Sequence, residues 1–428
     1  MLVESWLARA ARTRPAAIAL RAEDGMLRYA ELHAAATLAA QRLSALGVRP
    51  GDRVGIALPA RRAFAETLHA CLLLGAPAVP VDLRLTPAER RERTAGCAVV
   101  VSAPLDGLAD AGAPIAGMHD LDAPAIVVHT SGTTSGPRPV ELTYANWLWS
   151  ALGSAAALGV DPADAWLCTL PLSHVGGLSI LVRSAIYATS VVLHERFDAD
   201  AAADEIATRA TLVSVVPTTL ARLLDARLRH PPRLRAALVG GAPIAPALLE
   251  RAAAAGVPTV STYGITEACS QVTTGGPALF CTRVRIGPAR EILVGGPTVA
   301  PGALHADGWL HTGDEGALDA DGNLTVTGRA GDTIITGGEN VAPTEVEAVL
   351  ERHPAVAEAA VHGTPDPEWG ERLVATVVLR AGETATDEDL RGYCRVRLAG
   401  YKVPRVFRFA PGLPRTASGK LLRRSLEE

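Results

Sequence analysis

No run in this sequence approaches the roughly 20 apolar residues that a membrane-spanning helix needs. The best candidate, Leu178 to Leu193, is interrupted by Arg183. The stretch Met1 to Arg14 carries Glu4 and Trp6 and lacks the apolar centre of a secretory signal. The six cysteines, at 71, 97, 168, 269, 281 and 394, include no C-x-x-C pair. A thiolate metal site or a disulfide framework is therefore not expected, and the thiols read as reduced and packed. A net charge of −4 leaves no basic footprint, which argues against nucleic acid as the main partner. Lysine is scarce beside arginine and alanine, a mark of base composition rather than of chemistry. The pattern G-x-x-x-x-G-K-[ST] of a Walker loop is also missing. Together these absences describe a soluble, cytoplasmic protein with no membrane insertion; they leave its oligomeric state open.

With 428 residues, 48% of them hydrophobic, the chain can bury large cores in roughly two or three domains. Residues 1–122 alternate helical and extended patterns. Tyr29 to Leu46 is an alanine-rich helix ended by Gly47, Arg53 to Leu58 a buried strand, Ala60 to Leu74 a helix stopped at Gly75, and Ala98 to Val101 a further strand. Leu105 to Asp122 reads as a connecting loop. Asn146 to Leu158 reads as a helix. Two more βα units follow, strand Thr211 to Val216 with helix Pro217 to Leu228, and strand Leu234 to Val239 with helix Pro246 to Ala255. Strand Val257 to Ser261 closes the series. Repeated units of this kind make an α/β protein built on helix-covered, mainly parallel sheets. From residue 343 the order is helix, strand, strand, helix, which fits a small α+β domain.

The chemistry gathers after one strand, Ala125 to Val128. It empties into Thr130-Ser131-Gly132-Thr133-Thr134-Ser135-Gly136, with Arg138 just beyond. Glycines let backbone N–H groups converge on an anion, hydroxyls add donors, and arginine adds a fixed planar charge. The segment suits a polyphosphate, though taken alone it is equally an ordinary polar turn. Further on, Leu170 to Gly177 holds His174 in a turn punctuated by proline and glycine, where a lone histidine is more often a packing residue than a catalyst. Arg183 is a single cation in an apolar stretch. It can meet an internal carboxylate, snorkel to solvent, or hold a carboxylate on a substrate. Strand ends are where open α/β sheets place ligands, and Thr262-Tyr263-Gly264-Ile265-Thr266-Glu267 follows one. There Tyr263 can stack on a purine, Thr266 can donate to a phosphate, and Glu267 can hold Mg²⁺ through oxygen.

In this order, from Thr130 to Lys420, these segments resemble the signatures of the adenylate-forming superfamily. That superfamily holds the acyl- and aryl-CoA synthetases, the luciferases and the peptide-synthetase adenylation domains. Its forms are T-S-G-T-T-G-x-P-K-G, P-L-x-H-x-x-G, Y-G-x-T-E, T-G-D, G-R-x-x-D-x-I and P-x-T-x-x-G-K. The last three appear here as Thr312-Gly313-Asp314, Gly328 to Ile334 and Pro414 to Lys420. The resemblance implies ATP, Mg²⁺ and coenzyme A as the small molecules handled. It assigns Thr130, Ser131, Gly132, Thr133, Thr134 and Arg138 to the phosphates, and Gly241, Ala242 and Pro243 to the adenine. It assigns Tyr263, Gly264 and Thr266 to the nucleotide and Glu267 to the metal. Asp314 and Arg329 would take the ribose hydroxyls. His174 would help to place the carboxylate, Gly337 and Gly338 would line the coenzyme A tunnel, and Lys420 would be the catalytic lysine. It also implies a large domain over 1–328, a hinge at 329–332 and a small mobile domain over 333–428. A glycine at 331 stands where many relatives carry a charged hinge residue.

The sequence departs from the pattern in places. Arg138 replaces the loop's usual lysine, Ser135 and Pro139 replace its usual glycines, and 275–302 is compressed, with Arg290-Glu291-Ile292 for the usual G-E-I. Within the superfamily, Asn146 to Ser154 and Pro171 to Leu193 are similar to the ligases that join 2-succinylbenzoate to coenzyme A in menaquinone biosynthesis. That acid carries two carboxylates, and the resemblance gives Arg183 the second, aromatic one. Another aryl or medium-chain acid is the alternative, and a non-catalytic nucleotide-binding protein a more distant one.

Overall fold

The computed structural model describes residues 1–109, 115, 117–130, 138–329, 334–336, 339–366, 369–398, 400–416, 419 and 421–426. Among these residues the chain forms two large sheets, a smaller antiparallel sheet, a two-stranded ribbon and a separate C-terminal sheet. Apolar runs such as Leu212–Val215 and Ala236–Val239 are buried along their length, as expected of strands covered by helices on both faces. They pair in parallel with each other, with Ala165–Cys168 and, on the far side, with Thr259–Ile265. Ser190–Leu193 and Ile18–Ala22 extend this sheet, still in parallel. The second large sheet runs Val99–Val101, Val54–Ile56, Ala78–Pro80 and Pro124–Thr130 in parallel, and ends on the antiparallel Arg138–Thr143.

The helices follow the sequence reading with shifted ends. Arg62–Leu74 stops where Gly75 takes a left-handed conformation, φ +71°. The helix expected from Asn146 begins at Tyr144, because Thr143 and Asn146 cap each other's backbone N–H groups. Two expectations need correction. Part of the connecting loop at 105–122 is a strand, Met118–Asp120, which pairs with Leu2–Glu4. The strand expected to end at Ser261 continues to Ile265, because Ser270–Thr274 folds back and pairs with it. The compressed region holds Arg283–Ile286 and Glu291–Gly295, which join Leu310–Leu318 and Leu324–Arg329 in the antiparallel sheet.

The C-terminal part packs around its own core, with Ile334, Val346, Leu350, Val361, Val377 and Phe407 among its buried residues. It contains the expected helices, Pro343–Leu350 and Asp387–Arg395, and the long hairpin Val356–Asp366 with Gly370–Leu379. Lys402 Nζ reaches both carboxylate oxygens of Glu345 at 2.7 Å. Thr344 Oγ1 donates to Thr327 O at 2.7 Å across to the antiparallel sheet.

All six cysteines are unpaired, and all but Cys97 are buried. His69 and His119 are also buried, in the core of the large part. Burial pushes His69 down to about 4 and His119, which also feels His69, down to about 3. In the unfolded chain each takes up a proton near pH 6.5. The stability they permit is therefore complete above pH 6.5 and falls as the pH drops towards 4. His69 alone accounts for a loss on the order of 3 kcal/mol. Urea titrations at pH 7.5 and 4.5 are expected to show a smaller acid loss for His69→Leu than for the parent chain; an equal loss would remove His69 from the cause.

Candidate active site

The expected phosphate loop hangs from a hairpin. Thr130 and Arg138 face each other at its mouth, and Thr130 Oγ1 donates to Arg138 O at 3.4 Å. The loop is thus closed at its base by strand pairing. Ser131, Gly132, Thr133 and Thr134 lie outside the described residues. Arg138 is exposed at the start of its strand.

The nucleotide-binding candidates meet at the ends of two neighbouring strands. After Ala236–Val239 the chain enters Gly240-Gly241-Ala242-Pro243. Gly241 has φ +77°, a conformation open to glycine at little cost. In the adjacent strand, a Cβ on Gly264 would stand 2.1 Å from Ser270 O, so only glycine fits there. Beside it the Tyr263 hydroxyl donates to Asp314 Oδ2 at 2.7 Å. Burial, and then the Asp314 charge, push the phenol's pKa up, which keeps it a donor. Arg329 pairs with Asp314 across the antiparallel sheet, and its Nε lies 3.6 Å from Asp314 Oδ1. The residues expected at purine and ribose therefore form one bonded cluster. Thr266 and Glu267 lie in the short turn Thr266–Ala268 just beyond, pinned where Ala300 N donates to Glu267 O at 2.8 Å.

On the side expected to bind the acid, His174 stands just before the helix Val175–Tyr187, and its side chain makes no cap bond to it. Asp82 and Arg84 approach from the second large sheet. Burial acts to raise the Asp82 carboxyl. Hydrogen bonds from the Arg84 side chain and N–H, with the charges of Arg84 and His174, outweigh it and hold Asp82 below the usual range.

Arg183 lies within the same helix and is 2% exposed, so it does not snorkel. Its Nη2 donates to Ser150 Oγ at 2.9 Å, and Ser150 in turn donates to Cys269 O at 2.6 Å. The guanidinium stands 5.9 Å from the Trp166 ring centroid. Its Nε is buried without a hydrogen-bond partner. Among the described residues no carboxylate lies within ion-pair distance of it. Burial pulls its pKa below the ordinary value, yet a guanidinium keeps its proton at neutral pH. A cation in this position costs several kcal/mol unless an anion joins it. Of the two residues that flank it, Trp166 carries no motif, and Ser150 falls in the stretch Asn146 to Ser154 but had no role assigned from sequence.

Lys420, Gly337 and Gly338 lie outside the described residues. Gly419, next to Lys420, is described. A Cβ there would be 3.6 Å from Val216 Cγ2, and one on Gly241 would be 3.5 Å from Val216 Cγ1. The C-terminal loop thus reaches the Gly240-Gly241 turn. Arg415 braces the loop, donating to Gly419 O at 3.0 Å and to Glu358 Oε2 at 2.6 Å. Arg423, beyond it, pairs with Glu347.

The chain matches the family model described as AMP-binding enzyme over residues 7–111 and 104–302. It matches the AMP-binding enzyme C-terminal domain over residues 345–420. It is 38% identical to the 2-succinylbenzoate–CoA ligase of Bacillus licheniformis over an alignment taking in 99% of each chain. Among solved structures it is similar to the o-succinylbenzoate CoA synthetase from Bacillus subtilis. With that protein in complex with its acyl-adenylate intermediate, the TM-score is 0.94 at 37% identity, covering 100% of this chain and 99% of the other. With its complex with ATP and magnesium ion, the score is 0.93 at 37% identity, over 100% of both chains. With a double mutant bound to a product analogue, the score is 0.75 at the same identity, over 100% of this chain and 99% of the other.

Proposed function

The chain belongs to the family of AMP-binding enzymes, and from that membership we propose that it is a cytoplasmic 2-succinylbenzoate–CoA ligase of menaquinone biosynthesis. It joins the acid to coenzyme A in two steps. In the first, an oxygen of the succinyl carboxylate attacks the α-phosphorus of ATP, and pyrophosphate leaves. In the second, the thiol of coenzyme A attacks the acyl carbon, and AMP leaves. The observation that carries the choice of acid is Arg183. A buried guanidinium with no carboxylate of its own suits an acid with a second carboxylate, here the aromatic one.

Catalysis of the first step is mostly alignment and neutralisation of charge. Thr130 to Thr134 with Arg138 cradle the β- and γ-phosphates. The turn Gly241-Ala242-Pro243 and the Tyr263 ring border the adenine, and Asp314 with Arg329 takes the ribose hydroxyls. Gly264 lets the strand ends close on the nucleotide, and Thr266 donates to a phosphate. His174 helps to place the reacting carboxylate, and Lys420 bridges carboxylate and α-phosphate oxygens. Glu267 is the protein's ligand to Mg²⁺. Among the described residues no group of three or more acidic, histidine or cysteine side chains could hold a metal. One carboxylate suits an ion that keeps water and substrate phosphates as its other ligands. When bound, the ion neutralises triphosphate charge.

Residues 1–328 form the large domain and 333–428 the small one, with a hinge at 329–332. Rotation about it withdraws Lys420 and brings Gly337 and Gly338 to the coenzyme A tunnel. Two features support this: Gly419 lies beside Val216, and similarity is higher to the ATP and acyl-adenylate complexes than to the product-analogue complex.

The test is AMP formation with ATP, Mg²⁺ and coenzyme A on 2-succinylbenzoate, benzoate, a medium-chain fatty acid and no acid. Selective turnover of 2-succinylbenzoate is the expected result. Turnover of a monoacid alone would keep the reaction and discard the substrate. No turnover on any acid would overturn the proposal.

A further inference from the structure

Asp314 sits just after a bend. Gly313 has φ +68°, and the pairing of Glu291–Gly295 with Leu310–Leu318 slips between Glu291 and Leu293. Regular strand pairing cannot hold such a bend, so side chains hold it. Glu291 Oε1 accepts the Gly313 N–H at 3.0 Å. Thr312 Oγ1 accepts the Asp314 N–H at 3.0 Å and donates to Ile292 O at 2.7 Å. The other oxygen of Glu291 lies 3.0 Å from His311 Nδ1, and His311 Nε2 lies 3.3 Å from Asp307 Oδ2. A histidine can donate to two carboxylates only as the imidazolium. The groups around it are consistent with that state. Asp307 first, and then Glu291, raise the His311 pKa against the opposing effect of burial. The other neighbours are the His305 ring, 4.4 Å away between centroids, and Arg285, which pairs with Asp307 at 3.3 Å while stacked on Trp309.

We propose that His311 is a positioning residue for the nucleotide: as the imidazolium it joins Glu291 to Asp307, fixes Glu291 as the acceptor of the Gly313 N–H, and so sets the bend that presents Asp314 to the ribose. The inference rests on the reading of Asp314 as the ribose contact. It makes ATP affinity depend on a proton that never touches the substrate. A group whose pKa is raised on folding keeps its proton through pH 6.5 and loses it at higher pH. The bridge is therefore present at lower pH and fades as the pH rises through the raised value.

The measurement is pyrophosphate exchange by the full chain from pH 6 to 9, with KM determined for ATP and for 2′-deoxy-ATP. The parent is compared with His311→Gln, His311→Arg and Asp314→Asn. In the parent, KM for ATP is expected to rise with pH. His311→Gln should raise it about tenfold at pH 6.5, the size of one charge-assisted hydrogen bond. It should also remove the pH dependence, shrink the preference for ATP over 2′-deoxy-ATP and leave kcat within about twofold. His311→Arg, which keeps the charge, should restore the low KM and hold it to pH 9. If Asp314→Asn loses the ATP preference and His311→Gln does not, the positioning role is overturned and the ribose reading stands. If Asp314→Asn changes nothing, both fall. A loss of kcat and thermal stability in His311→Gln that arginine fails to restore would also overturn the proposal, since that is damage to the fold.

Discussion

Lys420→Ala is expected to lower acyl-adenylate formation about a thousandfold while leaving thioester formation from supplied adenylate within about threefold of the parent. The first step builds negative charge between two anions, and a mobile ammonium is the group that offsets it. Under the proposed domain rotation the second step follows withdrawal of that ammonium, so it has nothing to lose. Position supports the assignment. Gly419 abuts Val216, which also borders Gly241, so the C-terminal loop comes close to the turn expected at the adenine. Pyrophosphate exchange reads the first step and coenzyme A consumption from synthetic adenylate reads the second. Equal loss of both would refute the role.

Arg183→Leu is expected to raise KM for 2-succinylbenzoate about a hundredfold, in keeping with truncation of one partner in a buried charge pair. For 4-oxo-4-phenylbutanoate, the same acid without its aromatic carboxylate, KM should change less than about threefold. The same substitution should raise stability in the absence of substrate by about 1–3 kcal/mol, because it removes a buried cation that no carboxylate among the described residues offsets. Gain of stability together with selective loss of affinity is hard to obtain from a packing residue. Packing loss would lower stability and affect both acids alike. Denaturation of the substrate-free protein and paired KM values separate the two, and equal KM changes for both acids would sink the assignment.

The parallel sheets were legible because their strands are continuous apolar runs punctuated by glycine and proline, and because each helix shows its ends locally. Gly75 stops one helix by chemistry confined to a few residues, whereas the start set by Thr143 was read at Asn146 instead. What escaped detection depends on distant partners. Met118–Asp120 is a strand only because Leu2–Glu4 lies beside it, far away in sequence. The strands Arg283–Ile286 and Glu291–Gly295 are four and five residues long, too short for the alternation of the first or the apolar run of the second to mark them. The site divides in the same way. The residue types at 174, 263, 267 and 314 announced themselves through motif and spacing. The hydroxyl of Tyr263 bonded to Asp314, Ser150 beneath Arg183, and the link from Asp307 through His311 to Glu291 join residues with no shared pattern. Three dimensions alone bring them together.

The scarcity of lysine has a practical consequence. The chain has two, Lys402 and Lys420. Lys402 is engaged by both carboxylate oxygens of Glu345, a charge-assisted contact that an acylating reagent must displace. An amine-selective acylating dye should then distinguish two side chains by rate alone, with Lys420 labelled first. A fluorophore on the C-terminal loop, obtained without mutagenesis and told apart from one on the Met1 α-amine by peptide mapping, would report the loop's surroundings as ATP, acid and coenzyme A are added in turn. Lys402→Arg would reduce the labelled side-chain amines to one and supply the control.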